Sequence, residues 1–467
     1  MRVTTAVEAP KPAITRTTKR TNALSRSRAT VFTYKETSLN TFTELEISAE
    51  SFGRVPFTRY DMGWVILCIG MAIGSGIVFL PVQVGITGVW VFAASVMVAY
   101  PAMYMMQKLY LQTLSESSEC ENYAGIITQY LGKNWGIFLA VVYFFMLVKG
   151  MLAYSLAVTF DTAKYLQTYG ITKGLLSDSP LFSMALLCAL VLIAAQGERL
   201  IIKVSSPLVL FKLGVVVLLG VVMIPHWDVA MNLPSLPTLK RFVIDTVLTA
   251  PFTLFSIMFV QILSPMNIAF RKVEKDPRIA TYRAFRANRV AYVILVVAIL
   301  FFATSFSFVL SHDQALSAKA QNISALALAG SVIPGNGVLY MTTALDIFAI
   351  VTAFLGIYLG LEEAIKGVVM NLVTRFIPHE RINVRLVSVG ICAFIVIGLW
   401  AWVQTRFSII LLQQLAAPIY GIASFFVPCL LAYKVPALRK YRSPRVWCVF
   451  VFGIILCLSP VLKAMGY

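Results

Sequence analysis

Residues 70–81 read GMAIGSGIVFLP. The stretch is apolar enough to enter a membrane, yet it opens on Gly70, carries Gly74, Ser75 and Gly76 at its middle and ends on Pro81. A glycine costs roughly 1 kcal/mol in a helix relative to alanine. Gly70 and Gly74 keep the four-residue spacing that lets neighbouring helices pack closely. Adjacent residues point around a helix, so the triplet Gly74-Ser75-Gly76 does not serve one packing face. The triplet predicts local unwinding. Unwound backbone at membrane depth is tolerated only where it is buried in protein or lines a polar cavity. Freed N–H groups and two half-helix ends can hold charged groups, an amino-acid carboxylate among them. Ala72, Gly74, Ser75 and Gly76 are therefore candidate substrate contacts, with close helix packing as the competing use.

A second interruption is expected in TAPFTLFSIMFVQILSPMNIAF (249–270), which Pro251 and Pro265 bracket. Pro265 removes a backbone donor and disfavours helical geometry at Ser264. Gln261 and Ser264 are the polar candidates there; the alternative is that Pro265 simply ends the helix. Tyr143 and Tyr154 are eleven residues apart, close to three helical turns, and so share a face. Such a shared face most often serves core packing.

Charge inside apolar runs is the third signal. Lys149 (FFMLVKGMLAY) and Lys212 (VLFKLGVVV) each lie near the middle of one. A mid-bilayer lysine costs roughly 2.5–3.5 kcal/mol, so it should face the protein interior and pair or lose its proton. Lys212 is the favoured proton-coupling candidate, with a structural bond to unwound carbonyls as its rival role. Lys149 is the second candidate. Asp346 is a possible partner, or a solvated residue near the surface.

These residues need helices to carry them. Of 467 residues, 59% are hydrophobic and 13% charged, and mean hydropathy is +0.81. The apolar residues fall in blocks of bilayer-crossing length. An all-α polytopic membrane protein follows, with eleven expected spans: 62–86, 88–107, 135–160, 181–197, 200–223, 244–268, 289–311, 338–362, 386–404, 408–433 and 446–465. With the N-terminus inside, 30 Lys and Arg lie on the inner segments and 7 on the outer, as the positive-inside rule asks. The net charge of +18 therefore points to loops and lipid headgroups rather than nucleic acid. The most basic loop, RKVEKDPRIATYRAFRANR (271–289), reads as an orientation signal and headgroup contact. Residues 1–56 read as a disordered cytoplasmic tail. The seven cysteines form no CxxC, and the three histidines fall in loops, so no metal site is expected. No constellation for enzyme catalysis emerges.

The run AIGSGIVFLPVQVGITG (72–88) resembles the first-helix signature of the hydroxy/aromatic amino acid permease family, bacterial inner-membrane carriers of the amino acid–polyamine–organocation superfamily. LSPMNIAFRK (263–272), SHDQALSAKAQNISAL (311–326) and TAFLGIYLGLEEAIKG (352–367) also resemble that family. The likeness covers residues 57–467, the whole transporter domain, and is nearest the serine/threonine branch. It implies the leucine-transporter fold, a 5+5 inverted repeat (about 62–223 and 244–433) plus one helix (about 446–465). Lys212 resembles a fifth-helix lysine whose ammonium takes the place of a sodium ion in some proton-coupled relatives. A tyrosine on the third helix commonly contacts substrate in that fold, so the resemblance implies substrate contact for Tyr143 and Tyr154 as the alternative to core packing, with Gln413, Gln414 and Tyr420 as similar candidates.

The resulting expectation is a proton-coupled symporter of serine or threonine in the inner membrane, with the proton gradient and no cofactor as its energy source. Ile262 and Leu263 stand where the family's serine carriers have polar residues, which leaves cysteine or an aromatic substrate open. A sodium-coupled symporter, exchanger or exporter and a non-transporting amino-acid sensor are the alternatives. Oligomeric state is not legible.

Overall fold

The computed structural model describes residues 55–117, 123–196, 198–228, 237–332, 335–374 and 383–466. The expected tail 1–56 lies outside them, save Val55 and Pro56. Among the described residues there is no strand. The first expected span is two helices, α1 (Arg59–Ala72) and α2 (Ser75–Thr87), bent by 47°. Then come α3 (Val89–Ser115), the short α4 (Tyr123–Leu131), α5 (Lys133–Thr168), α6 (Pro180–Ala194) and α7 (Glu198–Met223). The sixth expected span is again two helices, α8 (Leu239–Ser256) and α9 (Val260–Val273). α10 (Pro277–Ser307), two short helices α11 (His312–Gln321) and α12 (Ala325–Val332), α13 (Asn336–Val373) and α14 (Val384–Gln404) follow. α15 (Ile409–Tyr420) runs through a π-helical turn, Gly421–Phe426, into α16 (Val427–Lys434), and α17 (Pro444–Ala464) ends the order. Among the described residues nine segments are long and apolar enough to cross a bilayer, ten with the bent α1–α2 pair; α6, at 15 residues, is shorter.

Most helices are apolar on every face, as lipid-embedded and core helices are. Their starts carry local signals. Thr58 and Asp61 form a capping box at α1, and Ser311 and Gln314 another at α11. Asp276 caps α10, with Pro277 at its first position. That start corrects one expectation: most of the basic segment 271–289 is helix. Ala280, Ala284, Ala287 and Ala291 recur along α10 and are buried, a small-residue stripe that seats the helix on its neighbours. Hydroxyls bind α8 to the helices around it. Thr253 pairs with Ser95 at 2.8 Å and Ser256 with Tyr100 at 3.3 Å, while Gln83 donates to Thr249 at 3.4 Å.

The two breaks position everything else. The first falls at Ile73-Gly74, and Pro81 stays inside α2. The second falls at 257–259, before Gln261 and not at Pro265, which lies within α9 together with a helical Ser264. This corrects the expected place. Because α9 starts at Val260, the bond that Pro265 forgoes would reach only the carbonyl of Gln261, in the first turn, so one missing bond does not end the helix. The breaks touch one another. A Cβ on Gly76 would run into the carbonyl of Phe255 and come within 2.9 Å of the Ser256 nitrogen. Backbone meets backbone there because residue 76 has no side chain.

Candidate functional site

The end of α1 is a helix C-terminus buried in the protein, where carbonyls lack intrahelical partners and carry partial negative charge. Lys212 supplies what they lack. Its side chain is 2% exposed, and its ammonium donates to the carbonyls of Ile73 at 3.2 Å and Gly70 at 3.5 Å. A third bond goes to Thr352 Oγ1 on α13 at 3.2 Å. Thr352 in turn donates to the Phe348 carbonyl at 2.6 Å. One cation on α7 thus joins the broken span to the eighth.

On the other side of the break, Gly74 faces Tyr154 of α5. A Cβ at residue 74 would lie 2.5 Å from the tyrosine oxygen and 3.8 Å from the Ala353 methyl. Gly74 itself is extended, with φ −147°. Space rather than backbone conformation calls for glycine here. Ala72 is buried as the last residue of α1, and Ser75 opens α2. Phe255, whose carbonyl abuts Gly76, turns its ring edge-on to Tyr420 with centroids 4.7 Å apart. Lys149 Nζ sits 3.9 Å from the Phe255 ring centroid and 5.4 Å from that of Tyr420, and it donates to Gln413 Oε1. A desolvated cation over an aromatic face gains about 2 kcal/mol or more. Gln414 instead donates to the Leu248 carbonyl at 3.3 Å.

Tyr143, Gln261 and Ser264 come together elsewhere. They line a cavity of about 430 Å³ with Tyr110, Tyr123 and Ser424, and no residue of 72–76 lines it. Gln261 Oε1 and Ser264 Oγ have no hydrogen-bond partner among the described residues. The cavity therefore offers an acceptor and a hydroxyl within tyrosine and aliphatic walls. The expected substrate contacts fall into two groups: the break with Tyr154, and this cavity with Tyr143.

Asp346 corrects both expectations made for it. It is fully buried rather than solvated, and its Oδ2 accepts from the Ser324 hydroxyl at 3.0 Å rather than from a lysine. Its neighbour is Asp161 of α5, also fully buried. Asp161 escaped notice because span three was expected to stop at 160, whereas α5 runs to Thr168. Tyr165 and Leu166, directly after the polar DTAK (161–164), are the signal that the helix continues. Arg283 is a second omission. Read as part of a headgroup-binding loop, it is 7% exposed and grips the fully buried Asp61 through two bonds of 3.0 and 3.1 Å. It also reaches Thr58 and Glu274, which ties the starts of α1 and α10 to the end of α9. Two arginines, Arg283 and Arg286, thus neutralise one aspartate. Among the described residues no three His, Cys, Asp or Glu side chains gather to hold a metal.

Comparison with known proteins bears on this arrangement. A family model described as the tryptophan/tyrosine permease family matches residues 59–459. A probable serine transporter of Escherichia coli strain K12 is 47% identical over 411 residues, which cover 87% of this chain and 93% of that protein. Serine transporter SdaC of the same strain is 27% identical over 417 residues, 88% of this chain and 95% of that protein. Among solved structures, Mhp1, a nucleobase-cation-symport-1 family transporter in a closed conformation with bromovinylhydantoin bound, superposes with a TM-score of 0.52. It covers 87% of this chain and 92% of its own, at 12% identity, so the likeness is one of fold.

Proposed function

The chain belongs to the tryptophan/tyrosine permease family, and from that premise we propose that it is a proton-coupled symporter carrying serine and related small neutral amino acids across a bacterial inner membrane. It is an integral membrane amino acid transporter and not an enzyme. The proposed topology has eleven spans with the N-terminus inside, α6 serving as the fourth. Residues 62–223 and 244–433 form the two inverted repeats, 446–465 the added helix, and 1–56 a cytoplasmic tail. Interruption of both the first and the sixth spans supports this division, as does the charge bias of the loops.

The observation that carries the coupling proposal is Lys212. Its ammonium lies on two carbonyls of the broken span and a hydroxyl of the eighth, a cradle of oxygens suited to a monovalent cation. A side chain that can gain and lose a proton in that cradle lets protonation decide whether α1 is tied to α13. Substrate is proposed to bind at the break, its carboxylate on the N–H groups that open α2 and its side chain against Tyr154 and Phe255. The cavity with Tyr143, Gln261 and Ser264 serves as its inner path. The proton gradient supplies the energy and no cofactor takes part. Serine is the proposed substrate because two relatives bear serine transporter in their names.

Uptake of labelled serine into proteoliposomes, with an inward proton gradient and no sodium, tests the proposal. The expected result is accumulation that unlabelled serine and threonine suppress and tyrosine and tryptophan do not. Uptake that needs sodium, or ligand binding without flux, would contradict it.

A further inference from the structure

Ser324, the residue before α12, joins Asp161 to Asp346. Its N–H donates to Asp161 Oδ1 at 2.8 Å and its hydroxyl to Asp346 Oδ2 at 3.0 Å. The same hydroxyl oxygen accepts from the N–H of Ala327 at 3.1 Å. The remaining oxygens, Asp161 Oδ2 and Asp346 Oδ1, receive no hydrogen bond among the described residues, and the buried Tyr165 hydroxyl has no partner by the same measure. The two carboxyl groups and the tyrosine lie within reach of one another.

Among the described residues no cation balances this pair. Lys212 of α7 is held by Gly70, Ile73 and Thr352. Lys149, twelve residues back along α5, is held by Gln413. Lys164 bonds Gln167, and Arg406 pairs with Asp178. On α11, His312 bonds the Gly85 carbonyl, and neither Asp313 nor Lys319 contacts the two carboxyls. Helices α2, α4, α6, α12 and α15 carry no charged residue, and α14 carries only Arg385, in its first turn. Two carboxylates this close in a dry interior cannot both ionise, and a single proton turns two facing acceptors into a hydrogen bond.

We propose that Asp161 and Asp346 form a one-proton binding site whose occupancy fastens the α11–α12 segment to the third and eighth spans. With the proton bound, one carboxyl donates to the other and Ser324 holds both. When the proton leaves to water, two negative charges face each other, the carboxyls separate, and Ser324 keeps at most one of them. Asn322 provides the other end of the device. It donates to the carbonyls of Arg406 and Phe407 and accepts from the Ile409 N–H, each at 3.1 Å. None of those groups titrates, so Asn322 is the fixed anchor and Ser324 the releasable one. The inference rests on the transporter reading for its meaning, an outer lid controlled by a proton. It does not rest on Lys212.

Infrared spectroscopy and hydrogen exchange on the purified full-length protein test it. On alkalinisation the wild type should lose the carbonyl-stretch band of a protonated carboxylic acid that it shows at neutral pH. In step with that loss, exchange of the amides of 318–330, corrected for base catalysis, should rise about tenfold or more. Asp346→Asn and Asp161→Asn should each abolish the band and keep the segment protected at alkaline pH, since an amide can donate where the shared proton did. Lys212→Met should leave both signals in place, which separates failure here from failure of the coupling proposal. A wild type without the band at neutral pH, a band that both variants keep, or exchange unchanged as the band titrates would overturn the proposal. So would loss of the band on adding sodium at fixed pH, which would make the pair a metal-cation site. The wild-type titration decides even where a variant does not fold.

Discussion

The two membrane lysines are almost equally buried, yet they use their protons differently. Lys212 donates to three oxygens, two of them carbonyls at the end of an interrupted helix. Lys149 donates to one amide oxygen and rests on two aromatic rings. Deprotonating Lys212 withdraws charge from a helix terminus and loosens the link between the first and eighth spans. Deprotonating Lys149 leaves its packing on Phe255 and Tyr420 largely as it was. Under the proposed coupling, what sets Lys212 apart is the interrupted helix that it holds, and burial alone does not distinguish it from Lys149.

Four substitutions put that contrast to the test. The largest effect is expected from Lys212→Met, which leaves the Gly70 and Ile73 carbonyls without their donor, a cost of about 1–3 kcal/mol. Gradient-driven serine accumulation should fall tenfold to a hundredfold, the rate equivalent of roughly 1.4–2.7 kcal/mol, while serine–serine exchange continues. Gly76→Ala comes next. Its methyl would collide with the Phe255 carbonyl, and overpacking of this kind costs about 1–3 kcal/mol. Transport should drop about tenfold with a lower unfolding temperature, read by uptake and thermal shift. Lys149→Met should raise the KM for serine roughly three- to tenfold, equivalent to about 0.7–1.4 kcal/mol, and leave the proton-to-serine ratio unchanged. Uncoupling by Lys149→Met, with Lys212→Met still coupled, would reverse the comparison. The smallest effect belongs to Pro265→Ala. Because the break lies at 257–259, uptake should change by less than about twofold, within the range of a surface-like substitution.

Each expected apolar segment contains helix among the described residues, since lipid leaves the backbone few other ways to satisfy its hydrogen bonds. The first break was legible because three small residues stand together at 74–76. The second was legible as a region but not as a place. Ile257, Met258 and Phe259 carry no glycine or proline, and what holds the chain open there is contact with Gly76, a non-local cause. Helix ends were read short wherever a helix continues beyond the apolar run, and this hid both Asp161 and the helical setting of Arg283. Lys212 could be singled out by its charge alone. Its three oxygen partners come from two other spans, 140 or so positions distant in the chain, and no local pattern announces them.

The most direct test of Lys212 as the coupling group is serine-driven proton movement. Proteoliposomes holding a pH-sensitive dye would be given serine outside, without sodium, for the wild type and Lys212→Met. The wild type should acidify the lumen as serine enters, and the variant should exchange labelled serine with no acidification. Serine-dependent acidification by the variant at the wild-type ratio would contradict the assignment.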